Sequence, residues 1–345
     1  MKKRSIKGKI RSIIRNHDRI DYIYCCLKKR NDLCTQEYIC DKSFNTITYE
    51  NIEKRNSDNK ESLYYIKSGN CFSGFGAEFR RTLDALFFAD YYNLKPVVEY
   101  NKKYIYAENK AVNGYDNPFE YYFEQTSNIN IEHIDSYKYV LFKEEHRGLA
   151  KYLFDSESAY EQSEEYIKEI GRIVNKYIRL NPIADRYITD SWHDINGNSS
   201  RVIGVHYRGT DYGVGYKGHP NVVGIQEYFD ALDKIICNTE NELKIFVATD
   251  EEKVIKDFVN RYGEKIIYFK DTFRSNDGAP IHFSENKRDL HKYKLGLEIL
   301  RDIIALSKCD YLVAGLSQVS YCARFFKYSR NETYEKKTIL SNGVK

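Results

Sequence analysis

The chain has 345 residues, 42% hydrophobic and 30% charged, which suffices for two domains with ordinary soluble cores. Its mean hydropathy of -0.64 and the lack of a long uncharged apolar run argue against a transmembrane helix. A net charge of +4 gives no footing for a nucleic-acid protein, and the 32 tyrosines and 18 phenylalanines fit low-GC codon usage more simply than a sugar-binding surface.

The charge is uneven along the chain. Residues 1–30 carry eleven Lys and Arg, among them Lys2, Lys3, Arg4, Lys7, Lys9 and Arg11, against Asp18 and Asp21. Ile6, Ile10, Ile13 and Ile14 recur among them at helical spacing. Such a basic amphipathic helix suits a membrane surface, and it equally suits a solvated terminal helix packed on its domain. The apolar stretch of a signal peptide is missing, so the expected location is cytoplasmic, with peripheral contact at the inner membrane face open to this helix. The eight cysteines (Cys25, Cys26, Cys34, Cys40, Cys71, Cys237, Cys309 and Cys322) form no CxxC pair and read as buried free thiols.

The core begins near Leu63. Residues 63–68 read as a strand, GNCFSGFGAEF as a glycine-bearing turn, 78–92 as a helix, and 97–100 as the next strand, which together make a βαβ unit. Gly74 and Gly76 place backbone N–H groups at a helix start, a natural cradle for a ligand, although a tight turn alone would also ask for glycine. Residues 101–135 show no period, 138–144 read as a strand, and 158–180 as one helix closed by Asn181-Pro182. The polar stretch ITDSWHDINGNSS marks the crossing between two α/β domains, 61–195 and 196–345, after a basic extension over 1–60.

The second half alternates cleanly. Strands are expected at 202–207, 244–250, 265–269 and 310–315, and helices at 224–237, 251–262, 292–308 and 318–328. That pattern is a doubly wound parallel sheet. Three of its strands end in polar residues: His206, Arg208, Thr210 and Asp211 on the first, Thr249, Asp250 and Glu251 on the second, Gly315, Ser317 and Gln318 on the fourth. In such a sheet these ends share one edge, where ligands bind. Arg208 suits a phosphate, and Ser317 with Gln318 would open a helix whose free N–H groups suit one too. Each also has a plain reading: Asp250 and Ser317 as helix caps, His206 as a core histidine. No DxD pair, P-loop, GxSxG, HExxH or CxxC pattern occurs.

In order and at similar spacing, VIGVHYRGTDY, His219-Pro220, EYF (227–229), FVATDE (246–251) and DIIALSKCDYLVAGLSQVS (302–320) resemble the motifs of GDP-fucose-dependent fucosyltransferases. The nearest group is that of the α1,6-fucosyltransferases of core N-glycan and nodulation-factor synthesis. GFGAE (74–78) resembles the glycine turn at the start of their catalytic region. The resemblance implies a GT-B-like α/β fold, with two Rossmann-like domains facing a crevice. It makes 61–195 the acceptor side and 196–345 the nucleotide-sugar side. It implies a metal-independent, inverting transfer of L-fucose or a related 6-deoxy sugar from GDP to a glycan hydroxyl, with no cofactor beyond the donor. A lipid-linked intermediate of bacterial surface polysaccharide is the expected acceptor.

By the same resemblance Arg208, Asp211 and Asp302 are the catalytic candidates. Gly74, Gly76, His206, Thr210, Asp250, Glu251, Ser317 and Gln318 are candidates for the donor. Glu78 and His219 are acceptor-side candidates. Two departures stand out. The family pattern His-x-Arg-Arg has Gly209 in its second arginine position, and the glutamate expected shortly afterwards is missing from GVGYKGHP. The identity of the general base therefore stays open among Asp211, Glu78, His219 and Asp302. Two other readings stay open as well: a non-catalytic sugar-nucleotide or glycan-binding protein, and a transferase for another nucleotide sugar.

Overall fold

The computed structural model of the protein describes residues 52–54, 57, 59–69, 73–91, 93–143, 154, 163–197, 201–209, 219–239, 242–276, 281 and 286–344. The basic helix expected in residues 1–30 lies outside them, as do Thr210, Asp211 and five of the eight cysteines. Two compact units divide the chain. One comprises Met1–Ser68, Arg81–Tyr100 and Gln125–Glu157, the other Gly69–Arg80, Asn101–Glu124 and Ser158–Lys345.

The first unit holds a four-stranded sheet. Its strands are β1 (Ile52–Lys54), β2 (Asn59–Ser68), β3 (Lys95–Tyr100) and β4 (Tyr137–Lys143), in the order β1-β4-β2-β3. β2 pairs in parallel with both β3 and β4, and β1 is antiparallel to β4. Helix α1 (Phe75–Tyr91) connects β2 to β3 as the βαβ reading expects. Pro96 is tolerated because β3 is an edge strand. The side-chain amide of Gln125 closes that edge: it donates to Val98 O at 2.7 Å and accepts from Val98 N at 3.1 Å. Thr126 and Ser127 hydroxyls add bonds to Pro96 O. A loop thus does the work of a fifth strand and blunts the edge.

The longest segment of the second unit, from Ser158 on, begins with two helices, α2 (Glu164–Tyr177) and α3 (Pro182–Asn196). A regular alternation follows: β5 (Val202–Tyr207), α4 (Ile225–Ile236), β6 (Lys244–Thr249), α5 (Glu252–Tyr262), β7 (Ile266–Ile267), α6 (His291–Lys308), β8 (Tyr311–Gly315), α7 (Gln318–Ser329) and β9 (Lys336–Leu340). All five strands are parallel, in the order β7-β6-β5-β8-β9. The period of two in each strand sorts the core into two layers. Ile203, Val205, Ile245, Val247 and Val313 pack with Leu232, Ile235, Ile255 and Phe258 of α4 and α5. Val202, Phe246, Ala248, Leu312 and Ala314 pack with Ala305, Leu306 and Ala323 of α6 and α7. Helices on both faces of a parallel sheet give the expected α/β architecture.

Two expectations change. The polar stretch read as a crossing is largely helix α3. Asn181 does not merely end the preceding helix; its side chain accepts from Ala184 N and caps a new one, with Pro182 in the first turn. Ala184, Ile188, Trp192 and Ile195 supply a sparse inward stripe that the polar composition hid. Strand β9 was not expected at all, because KKTIL offers only a short, half-exposed run.

Candidate active site

β5 is the middle strand of its sheet. The chain leaves it toward β6 and β7 on one side, and returns to β8 and β9 on the other. The carboxyl ends of β5 and β8 therefore flank a topological switch point, where doubly wound sheets open a crevice. The strand's period sends His206 to the face covered by α6 and α7, and Tyr207 to the face of α4 and α5.

A cavity opens at this point within the second unit; it is continuous with solvent, and the space between its lining residues, open solvent included, is about 420 Å³. His206 and Arg208 enter it from β5, and Thr249 and Asp250 from the end of β6. Helix α6 contributes Leu295, Glu298, Ile299 and Asp302, which share one helical face at i, i+3, i+4 and i+7. Thr272, Phe273, Ile281 and Val319 complete the wall.

Arg208 is mostly buried and its Nη1 lies 3.1 Å from Asp250 Oδ2. The plain reading of Asp250 as a helix cap does not hold. The cap position of α5 is Glu251, and it makes no side-chain capping bond. Ser317 is a cap: its Oγ accepts from Ser320 N at 3.0 Å. The same Oγ shares a 3.2 Å hydrogen bond with His206 Nδ1, which ties the end of β5 to the start of α7. His206 is thus a buried histidine with a ring partner that also lines the cavity.

Asp302 is the perturbed acid of the site. Burial pushes its carboxyl up to about 7; Arg301 and Arg274 pull it down, while Glu298 and Asp271 push it further up. Its surroundings are fixed by ion pairs. Arg301, almost fully buried, reaches Asp271 with two bonds of 2.8 and 3.0 Å and Thr272 Oγ1 at 2.9 Å, and its guanidinium lies 4.0 Å from the Phe269 ring. Asp271 is exposed, and its carboxyl is lowered: partial desolvation raises it, but the bonds from Arg301 and Tyr187 outweigh that. Glu298 is held by Arg288 at 2.5 and 3.2 Å and accepts from Phe273 N.

The remaining described candidates lie elsewhere in the second unit. Helix α1 starts at Phe75, and Gly74 O accepts from Ala77 N and Glu78 N. A Cβ on Gly76 would stand 3.1 to 3.2 Å from Gln318 and Val319, so glycine there lets the first turns of α1 and α7 touch. Gln318 accepts from Arg80 Nη1 at 3.2 Å. Glu78 is buried and its Oε1 accepts from Gly69 N at 2.6 Å, which holds the turn before α1. Glu251 leans on Gly209. His219 precedes Pro220, which bridges to Val344. None of these six lines the cavity.

The sequence reading missed Glu298, Phe273 and Thr272. Glu298 carried a usable signal: two acids, 298 and 302, interrupt an apolar helix face one turn apart. Phe273 and Thr272 sit in an aperiodic loop and carried none. Among the described residues no group of three or more His, Cys, Asp or Glu is placed to hold a metal ion.

Residues 159–328, about half the chain, match the family model of alpha-(1,6)-fucosyltransferase N- and catalytic domains. No curated protein matches the chain. Among solved structures the chain is similar to NodZ alpha-1,6-fucosyltransferase soaked with GDP-fucose, at 16% identity and TM-score 0.47, over 78% of this chain and 92% of that one. It is similar to fucosyltransferase NodZ from Bradyrhizobium, at 16% and 0.45, over 79% and 93%. It is also similar to POFUT1 in complex with GDP-fucose, at 10% and 0.44, over 84% and 100%. The strand-end motifs around Arg208 lie within the matched residues 159–328, and that match assigns this region to the alpha-(1,6)-fucosyltransferase family of glycosyltransferases.

Proposed function

We propose that the protein transfers L-fucose, or a related 6-deoxyhexose, from a GDP-sugar to a glycan hydroxyl with inversion and without a metal ion, in the synthesis of a bacterial surface polysaccharide. The observation that carries this reading is the placement of Arg208, a guanidinium at the carboxyl end of the central strand that lines a cavity at the switch point. In an inverting transfer the acceptor oxygen bonds to the anomeric carbon as the bond to the diphosphate oxygen breaks. The electron pair departs with the nucleotide. Arg208 is the group suited to that growing negative charge.

The acceptor proton needs a general base. Asp302 suits this role because its proton affinity lies near neutrality, where a base is most effective. Asp211, Glu78 and His219 remain the alternative bases, and Thr210, two residues after Arg208 in the sequence, a donor contact. His206, Asp250, Ser317 and Gln318, with the Gly74 and Gly76 turn, form the donor side of the proposal. Glu78 and His219 belong to its acceptor side.

No described helix is long and apolar enough to cross a membrane. The proposed location is the cytoplasm, with the basic residues 1–30 holding the enzyme near the inner leaflet and its lipid-linked acceptor. The test is release of GDP from GDP-fucose in the presence of EDTA. Arg208→Ala should lower turnover about 100-fold or more, the loss typical of removing one charge-stabilising donor. Undiminished turnover in that variant contradicts the role given to Arg208.

A further inference from the structure

The end of β6 meets the end of β5 at two successive residues. Asp250 pairs with Arg208, and Glu251 packs on Gly209. A Cβ built on Gly209 would lie 1.5 Å from Glu251 Oε1, 2.8 Å from its Cδ and 3.1 Å from Tyr207 Cε1. Gly209 has no left-handed backbone, so its conformation does not demand glycine. The demand comes from the Glu251 carboxylate, which fills the place of a side chain at 209.

Glu251 is itself well anchored. Its N–H donates to Thr249 Oγ1 at 3.2 Å, and it bridges in parallel to Ser275. Ser275 in turn donates to Asp250 O and accepts from Glu252 N, so the backbone is held on both sides of residue 251. The carboxylate is half-buried and lies outside the cavity lining.

We infer that Glu251 is a positioning residue for Arg208. It acts as a strut that holds the backbone at 208–209 so that the guanidinium enters the donor cavity beside Asp250. The glycine at 209 and the glutamate at 251 are one coupled unit. This inference rests on the donor reading of the cavity and adds a residue that acts through Arg208 without touching the sugar nucleotide.

A methyl group at 209 would collide with the far end of a flexible side chain, which can swing aside. The fold absorbs that change, and what is lost is the strut. The test is a double-mutant cycle of wild type, Gly209→Ala, Glu251→Ala and the double variant, with Glu251→Gln as the shape-conserving control. Calorimetric GDP affinity, kcat, KM and melting temperature are read for each.

Each single alanine variant should lower kcat/KM about 100-fold, chiefly in kcat, because misplacing a catalytic group by about 1 Å has that effect. Melting temperatures should stay close to that of wild type. The double variant should lose no more than the worse single variant, and Glu251→Gln should recover at least about tenfold of the alanine loss, since it keeps the shape of the strut. Losses that multiply in the double variant, or a fully active Gly209→Ala, would overturn the inference while wild-type GDP binding stands. A wild-type protein that binds no GDP would sink the donor reading instead, and this inference with it.

Discussion

Asp302 combines two demands that normally exclude each other, burial and charge. Its carboxyl is pushed up to about 7, so the folded protein holds a proton that the unfolded chain releases near 3.8. Between those values the folded state binds more protons, and its stability must fall as pH rises. The slope reaches about 1.4 kcal/mol per pH unit, a few kcal/mol over the window. Asp302→Asn should therefore melt higher than wild type at pH 8, with no advantage at pH 4, and should lose turnover. Thermal melts from pH 4 to 8 check the first part; a flat difference between the two proteins contradicts it. Wild-type turnover should rise as pH passes through 7, because the proposed base works only when ionised.

At the scale of elements, α2 and α7 are joined by close packing and by one acid. A Cβ on Gly171 would stand 2.6 Å from Tyr328 Cβ and 3.1 Å from its carbonyl carbon, so the helices touch backbone to backbone there. Glu164, in the first turn of α2, gathers Arg324 and Tyr328 of α7 and Lys337 of β9. Its burial would raise the carboxyl, but these partners outweigh it and the net shift is downward. Its contribution is therefore present above the ordinary carboxylate range and is lost as pH falls below it. Gly171→Val should cost about 1–3 kcal/mol or more, since overpacking at a tight contact has no slack. A urea titration checks it, and an unchanged midpoint contradicts the packing.

Legibility followed the same physics. Strands β5, β6 and β8 and helices α4 to α7 could be read from the sequence because buried parallel strands are short apolar runs and their helices carry one-sided stripes. Helix α3 was not, because its inward residues are few and its composition polar. Asp302 was legible only through the family resemblance, and Arg208 and Asp250 were legible as polar residues at strand ends. Their pairing was not, because Asp250 had an equally good local role as a cap and only the register of β5 on β6 brings it to Arg208. The strut at Glu251 was invisible for the same reason: it is a contact between adjacent strand ends, and in sequence it shows only as a glycine where the family pattern has an arginine.

At the scale of the molecule, the proposed donor chemistry belongs to the second unit, and residues 1–30 are proposed to bring the enzyme to its substrate. Deleting those residues should abolish co-sedimentation with anionic vesicles at low salt and leave GDP affinity unchanged; full retention on vesicles contradicts the anchoring role. The central claim is that the cavity around Arg208 is a metal-free site for a guanosine diphosphate. It is tested most directly by calorimetric titration of wild type and Arg208→Ala with GDP and UDP, with and without EDTA. The account predicts GDP binding to wild type that EDTA leaves unchanged, weaker UDP binding, and at least a tenfold loss of GDP affinity in the variant. Binding that EDTA abolishes, or equal affinity in the two proteins, would contradict it.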